Sequence, residues 1–437
     1  MRLRSPRPRR TQKESPMSLL DSAHPLIAWL LGPLLEIRGR MVRRAIARTM
    51  SSQGAPQSPS HAKSGSLHIA YLANSPLPTK AANCVHVMKM CGAFQSRGYR
   101  ITLLAERSDQ RFEQAALFDD FGVKPFDISF LDSSRGSLAM EAARIEEGLR
   151  RGVTHFFGRS LIGSYAGSLT GAPTLLERHL PLKRSEYAIA TDLFSRPSFA
   201  GLVVISDALK RWYQDRFASL AGRIHVLPDA ADPPIEGIEA FVFEPVEGTS
   251  FRAGYAGHLY PGKGAEIIAG LAQRMPHVSF HIVGGDGDDI ASWRNKTAGL
   301  PNIVFYGFRP QREVSAFLRG PDVMLAPYQR QVRVHGGGEV SSWMSPLKIF
   351  EAMAHSKPMV SSDLPVLREV LTGEVNALLC DPDDIGSWVA AIERLRNDQD
   401  LGARLAERAK LDFETNYTWA KRAETIVALL TARPGSC

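Results

Sequence analysis

SPLKIFEAMAHSKPMVSSDLPVLREVL, residues Ser345–Leu371, decides how this chain is read. It opens with a Ser-Pro pair, places a lysine at 348 and a glutamate at 351, and runs on into an apolar segment. A helix that only packs in a core needs none of these polar groups; a helix that grips a phosphate uses all of them. Ser345 suits an N-cap and Pro346 the first helical position. The backbone N–H groups between Ser345 and Lys348, to which Pro346 contributes none, then lack helical partners and attract an anion. Lys348 adds a point charge, and each charge-assisted bond to a phosphate oxygen contributes ~1.5–3 kcal/mol. Glu351, further along, is out of phosphate range but could accept hydrogen bonds from a ribose diol. The plain alternative is a capped surface helix with a solvated lysine and glutamate, and this stretch alone leaves both open.

The surrounding sequence has the alternation of a parallel α/β domain. FRAGYAGHLYPGKG begins with a short strand and a Gly-rich turn, in which Lys263 follows Pro261-Gly262 within reach of the same diphosphate. HVSFHIVGGDGDD, NIVFYGF, DVMLAP, KPMVSSD and NALLCDPDD read as five further strands. GGDG at Gly284–Gly287 lacks the third glycine of a dinucleotide fingerprint, so nicotinamide binding has little support. The triplets Asp286–Asp288, Asp381–Asp383 and Asp398–Asp400 could each carry Mg²⁺ on a nucleotide sugar. All three sit in loops or at helix ends, and are read as non-metal.

A similar alternation precedes this half. LHIAYLA (Leu67–Ala73), Arg100–Ala105, TLLE (Thr174–Glu177), GLVVIS (Gly201–Ser206) and RIHVLPD read as strands. Ligands in open α/β sheets lie beyond the carboxyl ends of strands. That rule places Asn74–Asn83, Glu177–His179 and Ser206 near a cleft, with Asn83 and Glu177 as candidates on the acceptor side. His179 could equally be an ordinary loop histidine. Cys84 and Cys91, seven apart on one helix, suggest a shared packed face. Four cysteines without a C-x-x-C pair suggest neither zinc nor a disulfide framework and fit a reducing, cytoplasmic compartment.

The 437 residues are enough for two or three domains, and 44% hydrophobic with 22% charged residues is an ordinary globular balance. Residues 1–50 account for the whole net charge of +8, and the remainder is neutral, which argues against a nucleic-acid partner. The head reads as a disordered basic opening followed by the apolar run Pro25–Ile37, too short to span a bilayer. Trp29 in the headgroup region and Arg43, Arg44 and Arg48 on anionic lipid would make it an interfacial helix, giving peripheral contact with the inner membrane face. The competing reading is a leader absent from the native product, Met17 being a credible start. Residues 51–66 form a linker by composition.

Taken together, the motifs from Leu67 onward resemble glycosyltransferase family 4, most strongly over Gly254–Asp384. GYAGHLYPGKG is similar to that family's donor-phosphate turn, and SPLKIFEAMAHSKPMVSSDLPVLREVL to its nucleotide-sugar helix and following strand. The resemblance implies an α/β GT-B fold, two Rossmann-like domains facing across a cleft. The acceptor domain spans 67–236, the nucleotide-sugar domain 245–412, and a helix within 413–437 crosses back. It implies a retaining, metal-independent transferase with no cofactor, taking a nucleotide-diphosphate sugar as co-substrate. A glycan or lipid-linked saccharide in surface polysaccharide synthesis would be the acceptor. Lys263, with the helix start at Pro346 and Leu347 beside it, should neutralise the leaving diphosphate, Glu351 should hold the ribose, and His179 should lie near the reacting sugar. His258, Gly262, Ser345, Lys348 and Glu369 complete the expected donor side.

Four positions depart from the family pattern. Trp343 stands where the first of two paired glutamates is usual, with Glu339 out of register. His258 replaces a common arginine, Ser356 a usual glycine, and Ala81-Ala82-Asn83 a glycine-rich loop. These departures keep two alternatives in view: a sugar-nucleotide epimerase of similar fold, and a non-catalytic nucleotide-sugar-binding assembly protein.

Overall fold

The computed structural model describes residues 67–79, 82–108, 112–131, 137–332 and 339–432, together with Arg44 and Arg48. The expected membrane-surface head, its linker, Ala81 and Cys437 lie outside the described residues. Among the described residues, no helix is long and apolar enough to cross a membrane.

Two fully parallel sheets form the molecule. The first holds β1 (His68–Leu72), β2 (Arg100–Glu106), β3 (Asp127–Leu131), β4 (His155–Gly158), β5 (Thr174–Arg178), β6 (Phe199–Val204) and β7 (Ile224–Val226), ordered β3-β2-β1-β4-β5-β6-β7. The second holds β8 (Phe251–Ala256), β9 (Val278–Val283), β10 (Ile303–Gly307), β11 (Val323–Ala326), β12 (Met359–Ser362) and β13 (Leu378–Cys380), ordered β10-β9-β8-β11-β12-β13. β1 and β9 are buried along their whole lengths, which explains their unbroken apolar runs. β3 was not legible as a strand: it is an edge strand, open at Asp127 and half-buried at Phe130-Leu131, with no strict alternation.

Strand order reverses between β1 and β4 in one sheet and between β8 and β11 in the other. Such switch points open crevices at the carboxyl ends of the strands. They bring together the loops after β1 and β4 in the first domain, and after β8 and β11 in the second.

The chain returns to the first domain near Tyr417, not at 413. Phe413, on the helix Gln399–Asn416, still packs with Phe350 and Met353 in the second core. The amide of Ala231 then donates to the Tyr417 carbonyl (3.0 Å), and Thr418 caps the next helix, Trp419–Thr431. That helix lays Trp419, Ala423, Ile426 and Leu430 against Val87, Cys91 and Phe94 on the helix Ala82–Ser96. Cys84 and Cys91 share this core, as their spacing suggested.

Candidate functional site

The turn after β8 is shaped by glycines that tolerate no side chain. Gly264 has φ +98°, and a Cβ there would lie 1.9 Å from the Pro327 carbonyl oxygen, beyond β11. Gly262, at φ +87°, would meet the Gln331 carbonyl at 2.2 Å. The turn therefore lies directly on the chain leaving β11. Beneath it, the Tyr255 hydroxyl donates to the His258 carbonyl (2.6 Å) and lies 3.1 Å from that of Lys263. The His258 ring stacks on Tyr260 at 5.2 Å. The Lys263 ammonium sits over the rings of Tyr260 (5.4 Å) and Tyr328 (5.2 Å), and burial lowers its pKa to about 8.

The opening helix runs Leu347–Ala354, one residue later than expected. Pro346 is its N-cap, and no side chain caps it. Ser345 was expected as the cap; instead its hydroxyl accepts from the amide of Asp229, across the cleft in the first domain (2.8 Å). The helix tip thus keeps its anion-attracting amides. Glu351 receives a long contact from Gln311 Nε2 (3.4 Å), and burial raises its pKa. Ser356 has φ +51°, the left-handed conformation that explains why a glycine is usual there.

Glu369 lines a small cavity with Ser345 and Pro346, beside the start of the helix Leu347–Ala354. Its carboxylate reaches across to the first domain and accepts from the amides of Asp207 (2.6 Å) and Ala208 (2.9 Å). Those amides open the helix Asp207–Gln214, and Ser206 caps the next one, at Leu209. Burial raises the Glu369 pKa, against the pull of the two amides. Trp343 also joins the domains. It packs against the first-domain core, and its carbonyl accepts from the Ser206 hydroxyl (3.2 Å). The residue in place of the usual glutamate therefore serves domain contact.

On the first-domain side, Asn83 donates to the Ser75 hydroxyl and holds the loop after β1. Glu177 was expected to face an acceptor, but it is fully buried, one member of an ion-pair network. Its Oε1 lies 2.8 Å from His86 Nε2 and 3.0 Å from an Arg422 nitrogen, and it receives the ring nitrogen of His179. His86 Nδ1 is 2.9 Å from Asp229. Burial works to lower the His86 pKa, but the carboxylates of Glu177 and Asp229 outweigh it and raise it. Burial also works against ionised Glu177, yet His86 and Arg422 hold its pKa well below the usual value. For His179, burial and the charge of Arg159 prevail, and its pKa falls to about 4. A neutral His179 that donates Nε2–H to Glu177 presents Nδ1 as an acceptor. Glu177 is thus the residue that orients His179.

Spacing along the sequence gave no sign of His86, Asp229 or Arg422; only their convergence from three distant segments reveals them. His86, His179 and Asp229 form the only potential metal-binding group among the described residues, their ligand atoms all within 4.8 Å. The donor set fits a cation poorly, because both His86 nitrogens already face carboxylates and offer no lone pair. Of the D-x-D triplets, Asp286 and Asp398 cap helices, and Asp381 and Asp383 pair with Arg330.

Residues 251–398 match the family model described as glycosyl transferases group 1. A phosphatidyl-myo-inositol mannosyltransferase of Mycolicibacterium smegmatis is 29% identical over 231 residues, which are 50% of this chain and 54% of that protein. The O-antigen chain mannosyltransferase RfbU of Salmonella typhimurium is 42% identical over 65 residues, 15% of this chain and 18% of its own. The chain thus spans about half the length, or less, of these curated relatives. Anabaena HepE in complex with UDP superposes with a TM-score of 0.62 at 16% identity, covering 84% of this chain and 100% of HepE. Sucrose-phosphate synthase of Thermosynechococcus elongatus gives 0.62 at 15%, covering 83% and 98%. The fold is therefore GT-B, and within it residues 251–398 are similar to glycosyl transferases group 1.

Proposed function

We propose that this chain transfers a hexosyl unit from a nucleoside-diphosphate sugar to a hydroxyl of a glycan or lipid-linked acceptor, with retention at the anomeric carbon and without a metal. One observation carries the reading: at the β8/β11 switch point, a lysine with no carboxylate partner faces the same ring as a second lysine, beside an uncapped helix tip. This arrangement suits a diphosphate. Anabaena HepE, of the same fold, forms a complex with UDP, and the mycobacterial relative is a phosphatidyl-myo-inositol mannosyltransferase, in keeping with such substrates. The epimerase and binding-only alternatives draw no support from these relatives.

In this reading Lys263 and the amides of Leu347 and Lys348 take up the charge that develops on the leaving diphosphate, and catalysis rests on that stabilisation and on positioning. Glu351 accepts from the ribose diol. His179, neutral near pH 7, accepts a hydrogen bond from a sugar hydroxyl through Nδ1. The test is a thermal-shift series with UDP, GDP and their sugars, followed by transfer assays on the sugar that stabilises. Glu351→Ala should lower nucleoside-diphosphate affinity by roughly 10–100-fold, as expected for hydrogen bonds to a charged acceptor. No stabilisation of the wild-type protein by any of these ligands would refute the reading.

A further inference from the structure

Lys348 is placed where a lysine is unfavourable unless something completes it. Its ammonium nitrogen is closed off from solvent and has no hydrogen-bond partner. It rests 3.8 Å from the centre of the Tyr255 ring and 4.6 Å from that of Tyr328. Its neighbour across Tyr328 is another cation, Lys263. On its other side stands the backbone of the turn: a Cβ on Gly257, at φ +154°, would come within 3.0 Å of the Lys348 nitrogen. The charged and titratable groups that face it are Lys263 from the turn after β8, Tyr255 from β8, Tyr328 from the exit of β11, and Glu351 from its own helix. Glu351 is itself directed to Gln311, and Lys89, which also acts on Glu351, is paired with Asp232. No carboxylate therefore pairs with the Lys348 amine. An aromatic face compensates a desolvated cation only in part. A methionine would fill the same volume without that deficit.

We propose that Lys348 is a second diphosphate-binding residue, an amine stored on the faces of Tyr255 and Tyr328 whose missing hydrogen bonds are supplied by the donor's phosphates. The inference rests on the donor-site reading above and extends it: this chain lacks the first paired glutamate and has Trp343 turned to the other domain, and the added cation is a feature of the site as built here. Burial, with the charge of Lys263, pushes the Lys348 pKa well below the usual lysine value, and Glu351 opposes this only in part. A phosphate beside the amine favours its charged form, so diphosphate binding should raise the Lys348 pKa and draw from the buffer the protons that this shift requires.

The experiment compares wild type, Lys348→Met and Lys263→Met by melting temperature and by calorimetry with UDP, GDP, pyrophosphate and the nucleosides uridine and guanosine. Titrations are repeated in PIPES and in Tris, whose different ionisation heats give the proton count. Lys348→Met should melt higher than wild type, bind the diphosphates about ten-fold or more weakly, leave nucleoside binding unchanged and lose part of the proton uptake. Unchanged diphosphate affinity and proton uptake in Lys348→Met overturns the proposal while the donor-site reading survives. A lower melting temperature, or an equal loss of nucleoside binding, assigns Lys348 a structural role and also overturns it. Failure of the wild-type protein to bind UDP, GDP and pyrophosphate alike overturns both.

Discussion

Replacing Glu177 by glutamine removes one charge and almost no volume from the buried network that orients His179. Glu177 is 0% exposed, and its Oε1 is shared by His86, His179 and Arg422. With Asp229 the network holds two carboxylates against two cations, His86 and Arg422, and is neutral. Glutamine leaves Asp229 alone against both. Removing one partner of a buried ion pair costs about 3–5 kcal/mol, because the remaining charge is uncompensated. For a domain of this size that is a fall in melting temperature of roughly 6–20 °C. His86 should then titrate at a lower pH than in wild type, since one of the two carboxylates that raise its pKa is gone. Differential scanning calorimetry and NMR titration of the histidines read both effects. The carboxylate's pKa is lowered in the folded state, so its contribution is present above the unfolded value near 4.5 and is lost as pH falls through the folded one. The gap between the two melting temperatures should therefore close in acid. Nucleoside-diphosphate shifts should persist in the folded variant, because the ion-pair partners of Glu177 are His86, His179 and Arg422 and not the lysines or helix tip of the donor side. A variant that melts within 2 °C of wild type at about pH 7, where about 6 °C or more is expected, refutes the assignment of Glu177 to a charged network.

Three further outcomes follow from the geometry. Ser356→Gly, which relieves a left-handed serine at the end of the helix Leu347–Ala354, should stabilise by about 0.5–1 kcal/mol; a lower melting temperature contradicts the strain. Glu369→Gln should speed hydrogen exchange at the amides of Asp207 and Ala208 and leave the sheet amides unaffected, whereas equal protection in both proteins would show that the cross-domain contact is not made in solution. Because the Lys263 pKa is lowered to about 8, diphosphate affinity should fall as pH rises through that value. The same shift should make the unliganded protein gain stability between about pH 8 and 10.5, where only the unfolded chain holds the Lys263 proton; a shallower rise in Lys263→Met than in wild type is the expected result, and equal slopes would refute it.

The sequence by itself determined the class of fold. Unbroken apolar runs such as LHIAYLA and HVSFHIV are β1 and β9, strands covered on both faces, and they need no alternation to be seen. It also marked the turn at Pro261–Lys263 and the helix tip after Pro346, since glycine, proline and caps act over a few residues. What it could not supply was the company each side chain keeps. Ser345 serves Asp229 rather than its own helix, Glu369 serves a helix of the other domain, and Trp343 packs between the two. His86 and Arg422 converge on Glu177, and Asp229 on His86, from segments 52 to 245 residues away from Glu177, so no local spacing announces them. Local preferences are set by backbone sterics and neighbouring side chains, whereas charge pairing depends on distances that exist only once both sheets are assembled and water has been excluded from between them.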